Sequence, residues 1–195
     1  TESAPRRRVL GAVGTAIGMG TLGAVLRGGD GGPDFVGIPD DASEEVRSLL
    51  TTAERQSLAV EGLEPLVSTN FYEVDINSVA NPRVDAADWT LSVTGAVESE
   101  VELDMADVRE LPMEQRFVTL RCVGDYLNGD KMDNALWGGV PMSAILEMAE
   151  PTGEYVMLRA ADGYYNEFPI EALWPGLLAY RMNGRPLPQA HGAPA

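Results

Sequence analysis

Phe117-Val118-Thr119-Leu120-Arg121-Cys122-Val123-Gly124-Asp125 alternates apolar and polar side chains, then breaks at a Gly-Asp turn, and so delivers the one cysteine of this 195-residue chain to the end of a strand. Successive side chains of an extended segment point to opposite faces, so Phe117, Thr119 and Arg121 share one face and Val118, Leu120 and Cys122 the other. The alternation therefore predicts a strand whose second face is buried, with the sulfur at its end. Two readings of the thiol follow. A free cysteine packs as a small hydrophobe. A thiol placed where a rigid strand gives way to a loop is also well placed for chemistry.

Composition bounds what the rest of the chain can be. A hydrophobic content of 45% over 195 residues suits one globular domain plus an appendage. Thirty acidic residues oppose 14 basic ones for a net charge of -16, and Lys131 is the lone lysine among them. Such a surface repels polyanions and excludes nucleic acid as a partner. The carboxylates are scattered through apolar segments instead of forming one block, which describes a folded, acid-coated protein with a surface like a halophile's. One cysteine excludes an internal disulfide, and one histidine, His191, excludes a zinc site built from His and Cys.

Working outward to the start, Arg6-Arg7-Arg8 precedes an uncharged run from Val9 to Leu26, and Arg27 closes it. Pro5-Arg6-Arg7-Arg8-Val9-Leu10 resembles a twin-arginine export signal. The 18-residue run is also just long enough to stay as a transmembrane helix, and Gly14 and Gly18 give it a small-xxx-small face. A buried soluble helix is the third alternative. The arginines should remain cytoplasmic, which makes the expected location membrane-anchored or exported, with the domain after Arg27 extracytoplasmic. The expected domains are residues 1–27 as signal or transmembrane helix, 28–40 as a Gly, Asp and Pro linker, and 41–195 as the folded domain.

Within that domain the pattern predicts a helix over Asp41 to Leu50, continuing from Thr51 towards Leu63. Strands follow at Phe71–Asp75, in the alternating Trp89–Val97 stretch with an end near Gly95, and at Val101–Leu103. Met105 to Leu111 reads as a helix closed by Pro112, and Met142 to Ala149 as an amphipathic helix. Tyr155–Ala160 and Leu177–Met182 read as strands, Pro169–Leu173 as a helical turn, and Asn183-Gly184 as a tight turn. Strands joined by short turns outnumber helices, so the expected class is α+β, mostly antiparallel sheet with short helices.

Several of these segments, taken in order, carry a resemblance. Thr119-Leu120-Arg121-Cys122-Val123, Ala135-Leu136-Trp137-Gly138-Gly139-Val140-Pro141, Asp162-Gly163-Tyr164, Met182-Asn183-Gly184-Arg185-Pro186-Leu187-Pro188 and His191-Gly192-Ala193-Pro194 together resemble the sulfite-oxidase-type molybdopterin-binding domain. The likeness runs from about Ser68 to Ala195 and includes Phe71-Tyr72, and it is closest to a membrane-anchored, haloarchaeal-like member. It implies that fold, a molybdenum-molybdopterin cofactor, and Cys122 as the thiolate on the metal. It further implies cofactor contacts from Val123, Gly124 and the His191 loop, and Tyr164 as the tyrosine lining the substrate pocket. Many relatives place an arginine and a histidine after the first Phe-Tyr, whereas this chain reads Glu73-Val74-Asp75-Ile76-Asn77. A membrane-anchored subgroup carries Asp where Asp75 stands, so Tyr72 and Asp75 are carried over and Glu73 is not. Relatives also continue past the position of Ala195 with an arginine and a glycine-rich segment, so the domain is expected to be incomplete at its C-terminus.

The implied chemistry is two-electron oxygen-atom transfer, either sulfite oxidation or reduction of a sulfoxide. One soft thiolate beside a dithiolene leaves coordination positions open, so one cysteine suffices. The sequence has no Cys-x-x-Cys-His and no second histidine for haem, so electrons would pass to a separate cytochrome or membrane carrier. Two other classes stand beside this one. A Cys-His hydrolase would pair Cys122 with His191, and a metal-free, membrane-tethered binding domain would keep the fold alone.

Overall fold

Every strand ladder among the described residues is antiparallel; this computed structural model describes residues 37–58, 60, 65–74, 82–127 and 129–195. The chain divides into two compact units, and all described residues except Glu73 and Val74 belong to the unit formed by Gly31–Tyr72 and Pro82–Ala195. The Val9 to Leu26 segment and Asp75 lie outside the described residues. No helix among the described residues is long and apolar enough to cross a membrane.

The elements are α1 (Glu44–Gln56), β1 (Thr90–Val93), β2 (Val101–Asp104), α2 (Met105–Glu110), β3 (Glu114–Arg121), β4 (Met132–Pro141) and α3 (Met142–Ala149). They continue with β5 (Tyr155–Arg159), β6 (Tyr165–Pro169), α4 (Ile170–Leu173), β7 (Leu177–Met182), β8 (Arg185–Pro186) and a 3-10 turn over Gln189–His191. The strands form three sheets, β1-β2, β3-β4-β7-β8 and β5-β6. This is the expected α+β class.

Local chemistry explains the element ends. Ser43 caps α1 by accepting the Val46 N–H at 3.3 Å, and Glu44 and Glu45 sit at the positive end of the helix dipole. Asp104 and Asp107 form a capping box that starts α2 directly from β2. Between β7 and β8, Asn183 (φ 50) and Gly184 (φ 77) both occupy the left-handed region that a type I′ hairpin turn demands.

The core is built on β4. Ala135, Leu136 and Val140 are fully buried, because β4 has β3 on one side and β7 on the other. Ala135 and Trp137 face a cluster with Phe71, Met182 and Leu187, while Leu136 points the other way onto Val46 and Leu50 of α1. A third cluster joins Val101 and Leu103 of β2 to Val108, Val140, Ile145 and Tyr180. Burying a side chain the size of Leu136 contributes roughly 2–3 kcal/mol.

Two expectations need correction. The cysteine strand does not present a buried face: Phe117, Val118 and Leu120 are each about two-fifths exposed. The reason is topological, since β3 is the edge of its sheet and its neighbour β4 takes the burial. Phe71 to Val74 form no strand, although Phe71 itself is buried. The strand expected to end near Gly95 does so, stopping at Val93 just before that residue, whose φ of 100 breaks the extended run.

Candidate functional site

Cys122 is the first residue beyond β3, and its N–H still donates to the Lys131 carbonyl at 3.0 Å, one step past the β3-β4 ladder. The thiol is half-buried and not in a disulfide. Its carbonyl accepts the Asp125 N–H at 3.1 Å, which turns the chain sharply away from the strand. The N–H groups of Val123 and Gly124 at that turn meet no acceptor among the described residues, and the Val123 side chain is fully exposed.

The loop from Cys122 to Lys131 is held by its own polar groups. Asp125 Oδ2 accepts the Lys131 N–H at 3.0 Å, and Arg121 Nη2 donates to the Tyr126 carbonyl at 3.1 Å. The Arg121 guanidinium therefore serves the loop backbone. Gly129 permits this fold, since a Cβ there would lie 1.8 Å from Asp125 Oδ1.

A second arm of the site comes from the segment before β1. Ser68 N–H donates to the Asn134 carbonyl at 2.9 Å, and Asn134 Nδ2 donates to the Leu66 carbonyl at 2.7 Å. Four residues on, the Tyr72 N–H donates to Asp133 Oδ2 at 2.6 Å. These bonds seat Phe71-Tyr72 beside the start of β4. Burial pushes the Tyr72 phenol above its usual pKa, and negative charge at Cys122, Asp133 and Asp125 pushes it in the same direction. Those charges act on one phenol, which brings Tyr72, Cys122, Asp125 and Asp133 into one neighbourhood.

The third arm is the 3-10 turn. His191 Nε2 lies 3.3 Å from the Tyr72 carbonyl, so that nitrogen carries the proton, because a carbonyl only accepts. The imidazole stands edge-on to Phe71 with ring centroids 5.3 Å apart, and Phe71 in turn stacks on Tyr72 at 5.3 Å and meets Trp137 edge-on at 5.7 Å. Phe71 is thus the hub on which Tyr72, Trp137 and His191 are assembled.

The structure therefore gathers Tyr72, Trp137 and the His191 turn around Phe71, with Cys122 within electrostatic reach of the Tyr72 phenol. Tyr164 lies in the turn of the separate β5-β6 hairpin, 54% exposed, with its N–H on Asp162 Oδ1. Among the described residues no hydrogen bond or ring contact links it to Cys122 or His191. The Nε2 bond to Tyr72 also turns that nitrogen of His191 to a carbonyl instead of to the thiol, which speaks against a Cys-His nucleophile pair. A shallow groove lined by Glu98, Glu147, Glu150, Ile170 and Trp174 shares no residue with the site. Sequence reasoning passed over Asp133 and the hub role of Phe71. The only signal for Asp133 was a carboxylate just ahead of the apolar run Ala135-Leu136-Trp137.

Residues 78–195 match the family model described as the oxidoreductase molybdopterin binding domain. The chain is 33% identical over 114 residues to the uncharacterized oxidoreductase YuiH of Bacillus subtilis (strain 168), covering 56% of each protein. It is 30% identical over 214 aligned residues to the protein-methionine-sulfoxide reductase catalytic subunit MsrP of Xanthomonas axonopodis pv. citri (strain 306), covering 97% of this chain and 62% of that one. Among solved structures it is similar in fold to the sulfane dehydrogenase SoxCD from Paracoccus pantotrophus, with a TM-score of 0.60, 20% identity, and coverage of 82% of this chain and 48% of that one. The chain thus spans between 56% and 62% of these two curated relatives.

Proposed function

Because the chain belongs to the oxidoreductase molybdopterin binding domain family, we propose that it is a molybdenum-cofactor enzyme of two-electron oxygen-atom transfer, with Cys122 as the protein thiolate on the metal. The cofactor of the family is molybdenum-molybdopterin. The observation that supports the reading is the half-buried thiol just beyond β3, within electrostatic reach of the Tyr72 phenol, which shares the Phe71 hub with His191.

The residues present fit the group. A lone accessible thiol is the donor set that a metal already held by a dithiolene requires. The two N–H groups of Val123 and Gly124 are available to an anionic ligand beside it. When bound, the cofactor supplies the two-electron couple and the site of oxygen transfer. The chain supplies position and protons. His191 is oriented by its Nε2–H on the Tyr72 carbonyl, and the Tyr72 phenol stays protonated and able to donate.

Reduction of an uncharged sulfoxide suits the site better than oxidation of sulfite. Asp125 and Asp133 stand close enough to disfavour charge on the neighbouring phenol, and they repel an oxyanion in the same way. Sulfoxide reduction consumes two electrons and two protons and releases a sulfide and water. The electrons come from a separate cytochrome or membrane carrier, since the chain has one histidine and one cysteine and forms no haem site of its own. Arg6-Arg7-Arg8 ahead of the uncharged run from Val9 to Leu26 supports an extracytoplasmic, membrane-attached or exported domain.

Metal analysis with a viologen-linked assay tests the reading. Protein produced with molybdate should carry about one molybdenum per chain and reduce methyl sulfoxides faster than it oxidises sulfite. Cys122→Ser should lose the metal and the activity while keeping the fold, because a hydroxyl of nearly the same volume is a hard, poorly ionised ligand. Full metal content in Cys122→Ser would overturn the assignment. Deleting residues 1–32 should move the protein from the membrane fraction to the soluble one.

A further inference from the structure

Asp133 is a buried carboxylate to which the oxygen-transfer reading gives no task beyond repelling an oxyanion. It is 7% exposed, and the ion pairs formed by Arg116 and Lys131 go to Glu114 and Asp130 instead. Burying a carboxylate costs free energy unless hydrogen bonds offset it. The offset comes from the Tyr72 N–H at 2.6 Å, a short bond to a charged acceptor that spans 61 residues of sequence.

The constraint does not stop at Tyr72. Asp133 holds the N–H of the same residue whose carbonyl, one peptide on, accepts from His191 Nε2. We infer that Asp133 is a positioning residue: it anchors the Tyr72 main chain to the start of β4 and, through the Tyr72 carbonyl, sets the orientation and tautomer of the His191 ring on the Phe71 hub. This rests on the reading of Cys122, Tyr72 and His191 as one cofactor site. Partners that orient the groups around a metal centre are often worth ten-fold or more in metal retention.

Two substitutions separate this role from general stability. Asp133→Asn keeps an oxygen acceptor of the same shape, whereas Asp133→Leu keeps the branched outline, with bulkier methyls, and removes the acceptor. His191 is the sole histidine, so nitrogen NMR of the full chain reads its tautomer without overlap, and hydrogen exchange reads the Tyr72 amide. The wild type and Asp133→Asn should show a protonated Nε2 and a slowly exchanging Tyr72 amide. Asp133→Leu should mix the tautomers, speed Tyr72 exchange and lower bound molybdenum by about ten-fold. If Asp133→Leu does not fold, the wild type alone decides, since a fast Tyr72 amide or an Nδ1–H tautomer overturns the role. An Asp133→Leu chain with wild-type His191 signals and metal content overturns it too. A wild type that shows both signals yet binds no molybdenum overturns the cofactor reading instead.

Discussion

At Tyr72, burial and three neighbouring negative groups all oppose ionisation of one phenol. A group whose folded pKa is raised holds its proton more tightly folded than unfolded. Its contribution is fully present below the unfolded value of about 10 and is lost as pH rises through the higher folded value. Denaturant unfolding at a series of alkaline pH values should therefore show a loss of stability above about pH 10 that Tyr72→Phe reduces. An equal loss in both proteins would mean that other groups set the alkaline limit. Cys122, Tyr72 and His191 could be singled out in the sequence because each stands in a motif with its neighbours. Asp133 was not, because nothing local separates it from the exposed Asp130 three residues earlier. Only the fold shows that Asp133 is buried under the Tyr72 amide. Tyr164 was legible as a motif member, but its place on a separate hairpin is a matter of tertiary arrangement.

Strands β3 and β4 show the same divide at the level of elements. They pair residue for residue from Glu114↔Gly139 to Arg121↔Met132, yet β4 is buried and β3 is not. Leu136→Ala should cost about 3–5 kcal/mol, because it empties a fully buried site between α1 and the sheet. Leu120→Ala, on the edge strand, should cost about 1 kcal/mol or less. Comparable losses from the two in denaturant titrations would contradict the edge position of β3. Asn183→Ala should fall between them at roughly 2–3 kcal/mol, since it strands the Leu136 N–H that Asn183 Oδ1 accepts at 2.8 Å and strains a residue at positive φ. Element positions were largely legible: Met142–Ala149 and Leu177–Met182 match their expected bounds, where Pro141 and the Asn183-Gly184 turn punctuate the chain. Burial of the cysteine strand was misread because alternation reports the pleat of a strand, while burial depends on how many neighbours the sheet gives it. The Phe71–Asp75 reading failed for a related reason. A short apolar-polar alternation also describes an irregular segment pinned by side chains, as Ser68 and Tyr72 are pinned to Asn134 and Asp133.

Across the whole molecule, charge is the property with the widest reach. A net charge of -16 on 195 residues sets carboxylates against one another over the folded surface, and only 14 basic residues are present to offset them. The ion pairs of Arg116 with Glu114 and Lys131 with Asp130 join near neighbours in sequence, so they relieve local repulsion and do not tie distant elements together. The remaining repulsion is greater in the compact state than in the expanded one, so it lowers the stability of the fold when counterions are scarce. Screening shortens the reach of each charge from about 10 Å at 0.1 M salt to about 3 Å at 1 M. The midpoint of thermal unfolding should accordingly rise steadily as KCl is increased from low to molar concentration. Potassium chloride is the informative salt, because kosmotropic anions such as sulfate strengthen apolar burial in any protein and would raise the midpoint without reference to charge. An acid titration supplies the control. Partial protonation near pH 5 removes part of the repulsion, so the salt-induced rise should be smaller there than at pH 8. A midpoint flat across KCl concentrations, or a rise of the same size at both pH values, would show that surface repulsion does not limit this fold.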